Sequence, residues 1–445
     1  MQIDFHYYAT YCAAYIAGYS HEESLAVCYS AQFVDCCSRT LLGRIGGPSS
    51  AATTQLQLEM MEARTDMPGI QDITRIWSSF HFLPRNLGAE IPRGSKMYKN
   101  KYRLICGPNG DLLAETVNLA KHRGLQAAGI AMHVLADTWA HRYFAGTPSV
   151  VINNTDSFFY ELVPDEGAAA GNGEAAAVDG AAAGSAAAGR KYKERQIVFK
   201  HNPAEADDIE TGAYINTLFQ FSENSVMSLG HGRAGHLPDY SFARYRYLPA
   251  WGNYREVVKD NPSDYYHAFC QMICALKFLR GESGPEAGEA AAEQAVSGQP
   301  DAGQSNAGQP AAEQPEARQF AKDRYDWEAA APYEARIKAI LETRQLDSSA
   351  DWKAFGESLS GQEIPDFDIE QYSREYMDAA GDAKDKTFLG QFIAAAIRQK
   401  SMVTERIFKS GNLLAGYTID YSEKGISAIR DAKMLIGAAK KGREK

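Results

Sequence analysis

Along most of the chain the apolar and polar positions follow a helical repeat. The stretch "DFHYYATYCAAYIAG" (4–18) reads as a helix stopped by Gly18, glycine being the residue that most readily takes the left-handed turn after a helix. In "YSHEESLAVCYSAQFVDCC" (19–37), Ser20 with Glu23 three positions on can satisfy two free N–H groups at a helix start, so a second helix is predicted there. A longer pattern runs from Asp111 to about Phe144, weakened inside by Gly124 and Gly129 and stopped by Gly146. "DIETGAYINTLFQFSENSVMSL" (208–229) and "SDYYHAFCQMICALKFLR" (263–280) are predicted as further helices. Strand patterns are fewer. "KYRLIC" (101–106) precedes a Gly-Pro-Asn-Gly turn, and "SFFYELV" (157–163) with "RQIVFK" (195–200) predict a hairpin whose loop has been expanded. The fold class is mainly α with a small β-hairpin.

Two stretches break the pattern. Residues 166–189 are Ala/Gly low complexity, and residues 281–318 add Pro, Gln and Glu. Neither offers large apolar side chains to offset the entropy of ordering, so both are expected to be surface insertions. The expected organisation is a helical, candidate metal-binding domain over 1–280 carrying the 166–189 insertion. A disordered linker follows over 281–318, then a helical C-terminal region over 319–445 that packs on the first domain.

Composition narrows the function classes. With 45% hydrophobic and 23% charged residues among 445, a sizeable core is available. The balance of 46 basic against 56 acidic side chains argues against a general nucleic-acid surface. The start, MQIDFHYYATYC, lacks the basic and apolar regions of a signal peptide, and no run of 18 apolar residues predicts a transmembrane segment. Seven cysteines without a CxxC pair are expected to be reduced and mostly buried, which points to the cytoplasm. From Arg398 to Lys445 there are 11 basic and 5 acidic residues, a segment suited to peripheral membrane contact. "HEESL" has Leu25 where a metalloprotease needs a second His, and GxxxxGK[ST] and a His-Asp doublet are absent.

The candidate chemistry centres on "HVLADTWAHRYFAG" (133–146). His133, Asp137 and His141 stand four residues apart and so line one helix face over about 12 Å. Ligand bonds of about 2 Å are too short for both histidines to share an ion. Asp137 between them is placed to bridge two ions, with His133 on one and His141 toward a second or the substrate. His6, His81, His231 and His236, with Asp239, lie in apolar or Gly-rich settings, and Asp35 ends an apolar helix. A carboxylate there costs several kcal/mol unless it is paired or ligates a metal. Imidazole and carboxylate are the groups zinc takes.

"IDFHYYATYCAA", "SAQFVDCC", "FHFLP", "HVLADTWAH" and "GHGRAGHLPDY" resemble the landmarks of a bacterial family of uncharacterised proteins. More distantly, they are similar to the helical zinc-dependent phospholipase C and single-strand nuclease superfamily. That second resemblance implies a multi-helix domain of the phospholipase C type with two or three zinc ions that activate water against a phosphodiester. On this chain it implies Asp35, His81, His133 and Asp137 at the first zinc, and His6 with Asp137 at the second. The third would take His141, with His236 or His231 and Asp239. The chain departs from the pattern at its start, MQIDF, where the superfamily has a processed Trp whose amine is a ligand. It also departs after Asp137, where the next His follows by four residues rather than more.

The function expected is a zinc-dependent hydrolase of a small phosphoester. Asp35 doubles as general base, and Arg142 and Arg233 steady the phosphate. The alternative is a non-enzymatic helical module that binds a protein partner and keeps a structural metal or none.

Overall fold

Residues 4–16 coil as the pattern predicts, but in two forms: a wide π-turn over Asp4–Ala9 leads into helix α1, Thr10–Ile16. Gly18 ends it with φ 91°. Ser20 then caps helix α2, His21–Phe33, with both halves of the capping box formed. The computed structural model describes residues 1–56, 59, 67–89, 103–147, 150–155, 159–164, 192–196, 199–200, 213–214, 229–281 and 319–412. Over these it is mostly helical, with a four-stranded antiparallel sheet.

The single helix expected over 111–144 is two. Helix α5, Asp111–Ala120, stops at a turn where His122 (φ 61°) and Gly124 (φ 89°) are both left-handed, and helix α6 runs Leu125–Ala140. Gly146 does not end it. Gly146 lies instead against Ser78, whose hydroxyl donates to its carbonyl at 3.0 Å. Helix α6 is apolar on nearly every face, as a helix in the middle of a core must be, and all its residues after Leu125 are buried. It packs against α2, α5, α4 (Met67–Phe80), α8 (Asn261–Arg280) and α11 (Phe388–Lys409). One hydrophobic core joins these to helices α9 (Glu334–Glu342) and α10 (Ser349–Ser360), so residues 320–407 share the core of residues 1–140.

The predicted hairpin is present with its second strand displaced toward the N-terminus: β1 (Tyr160–Pro164) pairs with β2 (Tyr192–Gln196), antiparallel with Tyr160 opposite Gln196, and Phe199–Lys200 of the expected strand pair elsewhere. It is half of a larger sheet, extended by β3 (Arg244–Tyr247) and β4 (Val257–Asp260) in the order β2-β1-β3-β4. "KYRLIC" contributes only isolated bridges, Pro84 to Cys106 and Ile105 to Ala145. Of 208–229, Ala213–Tyr214 pair as a short parallel strand with Phe199–Lys200 rather than as helix. The rest of that stretch before Leu229 lies outside the described residues, as do 166–189, 282–318 and the basic end 413–445. All seven cysteines are free thiols, with Cys36 and Cys274 half-buried and the others buried. Among the described residues no helix is long and apolar enough to cross a membrane.

Gly129 explains itself once α2 and α6 are seen together. A Cβ there would stand 2.5 Å from the Ser30 Cβ and closer still to the Val27 carbonyl oxygen. Gly129→Ala gains about 1 kcal/mol of helix propensity but must push α2 away, and overpacking costs about 1–3 kcal/mol or more. The expected result is a net loss of about 1–2 kcal/mol, read as a lower urea midpoint. A midpoint that stays or rises would show that the two helices do not meet this closely.

Candidate metal centre

Asp137 lies one helical turn after His133 on buried α6, and both side chains are shut off from solvent, at 1% and 0% exposure. Two polar side chains at the centre of an apolar bundle need partners, and these arrive from four other segments. His6 comes from the π-turn, Asp35 from the residues after α2, His81 from the residue after α4, and the Met1 amine from the chain start. The start is held in place by Asp4, whose carboxylate accepts from the Ser348 hydroxyl at 2.6 Å, and by Phe5, edge-on to Tyr265 and Trp352. At the far end of α6, the Lys259 ammonium donates to the Trp139 carbonyl at 2.8 Å and to Asp264 at 2.5 Å.

The Asp137 carboxylate divides its two oxygens. Oδ1 faces the Met1 nitrogen at 3.0 Å and His6 Nε2 at 3.2 Å. Oδ2 faces His81 Nδ1 and His133 Nε2, each at 3.2 Å, with His141 Nδ1 at 3.5 Å. Asp35 closes the same side, 3.8 Å from His81 Nδ1 and 3.9 Å from His133 Nε2. Beyond Met1 lies Asp239, with its Oδ1 at 3.3 Å from the amine, 3.4 Å from His141 Nε2 and 3.2 Å from His231 Nε2. Three groups therefore form whose ligand atoms lie within 4.8 Å of one another: His6, His133 and Asp137; Asp35, His81 and His133; His141, His231 and Asp239. Each can hold a metal ion. His133 and His141 fall in different groups, as their spacing requires.

Backbone carbonyls set the ring tautomers. His81 Nε2 lies 3.0 Å from the Thr53 carbonyl, His133 Nδ1 2.9 Å from that of Ala31, and His141 Nδ1 2.7 Å from that of His81. A carbonyl only accepts, so in each neutral ring that nitrogen carries the hydrogen and the other offers a lone pair. Those free nitrogens are His81 Nδ1, His133 Nε2 and His141 Nε2, the same atoms that face the carboxylates. An outer carbonyl orienting an inner imidazole is the arrangement found around metal-ligating histidines.

Burial is the leading influence on every charge here. It lowers His6, His133 and His141 to about 4, so all three are neutral at pH 7. Burial alone would raise the Asp137 carboxyl, but His141, the Met1 amine, His133 and His6 outweigh it and hold it well below the usual range. Asp239 is held down against burial by His231 and the same amine. Burial works against the Met1 ammonium too, yet Asp137, Asp239 and Asp35 together raise it to about 11.

One observation tests whether these residues fit a metal. His6 is fully buried and neither ring nitrogen has a hydrogen-bond partner, while its ring stacks on that of His133 with centroids 3.8 Å apart. A buried imidazole without a partner costs about 1–3 kcal/mol, and coordination through Nε2 would remove that cost. The donor set, imidazole nitrogens with carboxylate oxygens, suits zinc and its neighbours among the transition metals.

Other expected residues stand apart from these groups. His236 has its ring edge-on to Tyr240, centroids 6.1 Å apart, and His231 takes the place beside Asp239. Arg142 pairs with Asp264 at 3.6 Å and lies over the Tyr143 ring. Arg233 sits two positions after His231 in the short helix α7, His231–Ala234. The left-handed Gly230 before that helix has the Asn153 side chain packed against it, where a Cβ would lie 2.6 Å from Cγ. Sequence reasoning missed the Met1 amine, because no motif marks an α-amino group. The only signal was its position five residues ahead of His6.

The chain belongs to a family described as a family of unknown function (DUF6765), whose model matches residues 1–407 and so takes in every candidate residue named above. No curated protein and no solved structure matches it. Membership brings no activity with it.

The Met1 amine gives a direct test of the electrostatics. Acetylating it removes the positive charge between Asp137 and Asp239, and stripping one partner from a buried ion pair costs about 3–5 kcal/mol. Chelator-treated, acetylated protein is expected to lose stability on that scale relative to the free-amine form. Equal denaturation midpoints for the two would remove the amine from the centre.

Proposed function

We propose that this chain is a metal-dependent hydrolase acting on a small phosphoester, with zinc as the ion and two or three ions per chain. The observation that carries the reading is the division of the Asp137 carboxylate, one oxygen toward His6 and Met1 and the other toward His81 and His133. A carboxylate shared in this way is the bridging element of centres whose ions sit roughly 3.5–4 Å apart. His133, His81, Asp35 and Asp137 would hold one ion and His6 with Asp137 a second, while His141, His231 and Asp239 would hold a third. The resemblance to the zinc-dependent phospholipase C and nuclease superfamily agrees with this reading.

Bound divalent ions would supply Lewis acidity toward a phosphoryl oxygen and lower the pKa of bound water toward about 7. The chain's own residues would do the rest. Asp35 is the most open of the group, at 29% exposure. Its carboxyl is raised, first by burial and then by Asp137 against the lowering pull of His6 and His81. A carboxylate with a raised proton affinity and the largest exposure of the group suits a general base that takes the proton of an attacking water. Arg233, next to His231, is the side chain assigned to the phosphate, and Arg142 is committed to Asp264.

Zinc per chain, measured on protein purified without chelator, together with hydrolysis of a generic phosphodiester, tests the reading. Wild type is expected to hold two or three zinc and turn over. Asp137→Asn is expected to lose metal and all turnover, because a neutral amide is a poor bridge between dications. Unchanged zinc and unchanged turnover in Asp137→Asn would defeat the proposal. One zinc without turnover would favour a structural site in a protein-interaction module.

A further inference from the structure

Outside the metal centre three cations gather around one carboxylate among the described residues. Arg39, the first residue of helix α3 (Arg39–Ile45), pairs with Asp72 on α4, and Arg75 reaches the same carboxylate at 3.5 Å. Lys400 on α11 crosses to this side and donates to the Ala52 carbonyl at 2.9 Å. Among the described residues no other carboxylate lies within ion-pair distance of these three cations. The next acid along, Glu59, is taken up by the Thr40 amide and hydroxyl at 2.7 and 2.6 Å. Three cations thus share one carboxylate.

The donors are unsatisfied as well as the charge. The Nε atoms of Arg39 and Arg75 are buried with no hydrogen-bond partner, although the two guanidinium side chains keep 38% and 37% exposure. Lys400 spends one of its three N–H groups on Ala52. Helix α11 packs on α4, which carries Asp72 and Arg75, and Thr53, the residue after the Ala52 that Lys400 holds, donates its amide to the carbonyl of Cys37, two residues before Arg39. Burial, then repulsion from Arg39 and Arg75, lowers the Lys400 amine to about 8. A structural clamp would need only Arg39 and Asp72. It leaves both Nε donors unused.

We propose that Arg39, Arg75 and Lys400 form a binding site for a small phosphate-class oxyanion. Its several acceptor oxygens match forked guanidinium donors and an ammonium, and its charge would offset the surplus. The site is separate from the metal centre but tied to it. Lys400 holds Ala52, and the next residue, Thr53, accepts from His81 through its carbonyl and anchors to Val34 and Cys37. An anion drawn in here would bear on the segment that orients His81.

Calorimetric titration of chelator-treated, full-length protein with inorganic phosphate, at an ionic strength fixed with chloride, tests this. Saturable binding of one phosphate per chain is expected. Lys400→Met and, separately, Arg75→Gln should each weaken it by roughly tenfold or more, the loss of a charge-assisted hydrogen bond. Either variant suffices should the other not fold. Asp137→Asn should leave the affinity within about twofold, since that residue belongs to the other site. Glycerol phosphate in a parallel titration separates the sources: equal affinity means that an ester's terminal phosphate is enough, and tighter inorganic phosphate means a free ion, and either supports the site. No saturable binding to folded wild type, unchanged affinity in folded Lys400→Met and Arg75→Gln, or loss of binding in Asp137→Asn would each overturn the proposal. Because metal is absent throughout, the outcome does not depend on whether the phosphoester reading stands.

Discussion

Asp137 keeps a negative charge on a helix buried on every side, and the arrangement of the centre follows from offsetting it. A carboxylate taken out of water loses several kcal/mol even after the protein relaxes. On α6 only His133 shares that face, with His141 just past its end, and the side chains between them are apolar. The rest of the offset comes from the Met1 amine and from imidazoles delivered by the π-turn and by the end of α4. Segments separated by more than a hundred residues are thereby fixed against one another. The C-terminal helices join the same constraint, because Ser348 and Trp352 hold Asp4 and Phe5, and with them the chain start.

Orientation matters as much as proximity. Each of His81, His133 and His141 has one nitrogen committed to a main-chain carbonyl, so rotation of the ring would break a hydrogen bond inside a dry interior, worth about 1–3 kcal/mol once left unmade. The inward nitrogens of His133 and His141 are therefore held as lone-pair donors whether or not anything binds them, while Asp137 and Asp35 raise His81 against its burial and favour a proton on its Nδ1. His6 is the exception, since it has no such outer partner and is kept in place by stacking on His133. A buried ring with no partner at Nδ1, and with Nε2 facing Asp137 at 3.2 Å outside hydrogen-bond geometry, is the strongest sign that the cluster is arranged for something besides its own stability.

Much of this was readable in the residues, and the failures have physical causes. The Ser20–Glu23 capping box, the Gly18 stop, the helix over 263–280 and the hairpin flanking 166–189 all depend on local chemistry, and local chemistry is what a sequence displays. The helix over 111–144 was read as one because its apolar period hardly falters. The break needed His122 to take a left-handed conformation, which propensity does not foresee. Strands β3 and β4 escaped because "RYRY" and "VVKD" are too short to show a period, and their pairing with β1 is a long-range matter. The histidines His6, His81, His133 and His141 were singled out by type and setting, and the fold brings them together. Between His231 and His236 the sequence could not choose. Both flank Gly-rich turns, and the fold separates them by setting His231 beside Asp239 and packing His236 on Tyr240.

The centre is also graded from closed to open, and this gives it a direction. His6, His133 and Asp137 lie at 0–1% exposure, Asp239 at 11%, His231 at 22% and Asp35 at 29%. The groups held as neutral lone-pair donors are at the closed end. The carboxylate whose proton affinity is raised is at the open one. Charge interactions strengthen as water is excluded, so an ion is best held at the closed end. Proton exchange needs a path to solvent, which only the open end has. A purely structural cluster has no use for such a gradient, because satisfying its polar atoms requires burial and pairing alone. Asp35 does not share that economy: its nearest imidazoles stand 3.8 to 4.0 Å away, too far for hydrogen bonds. That leaves its carboxylate free on the side from which a small molecule would come.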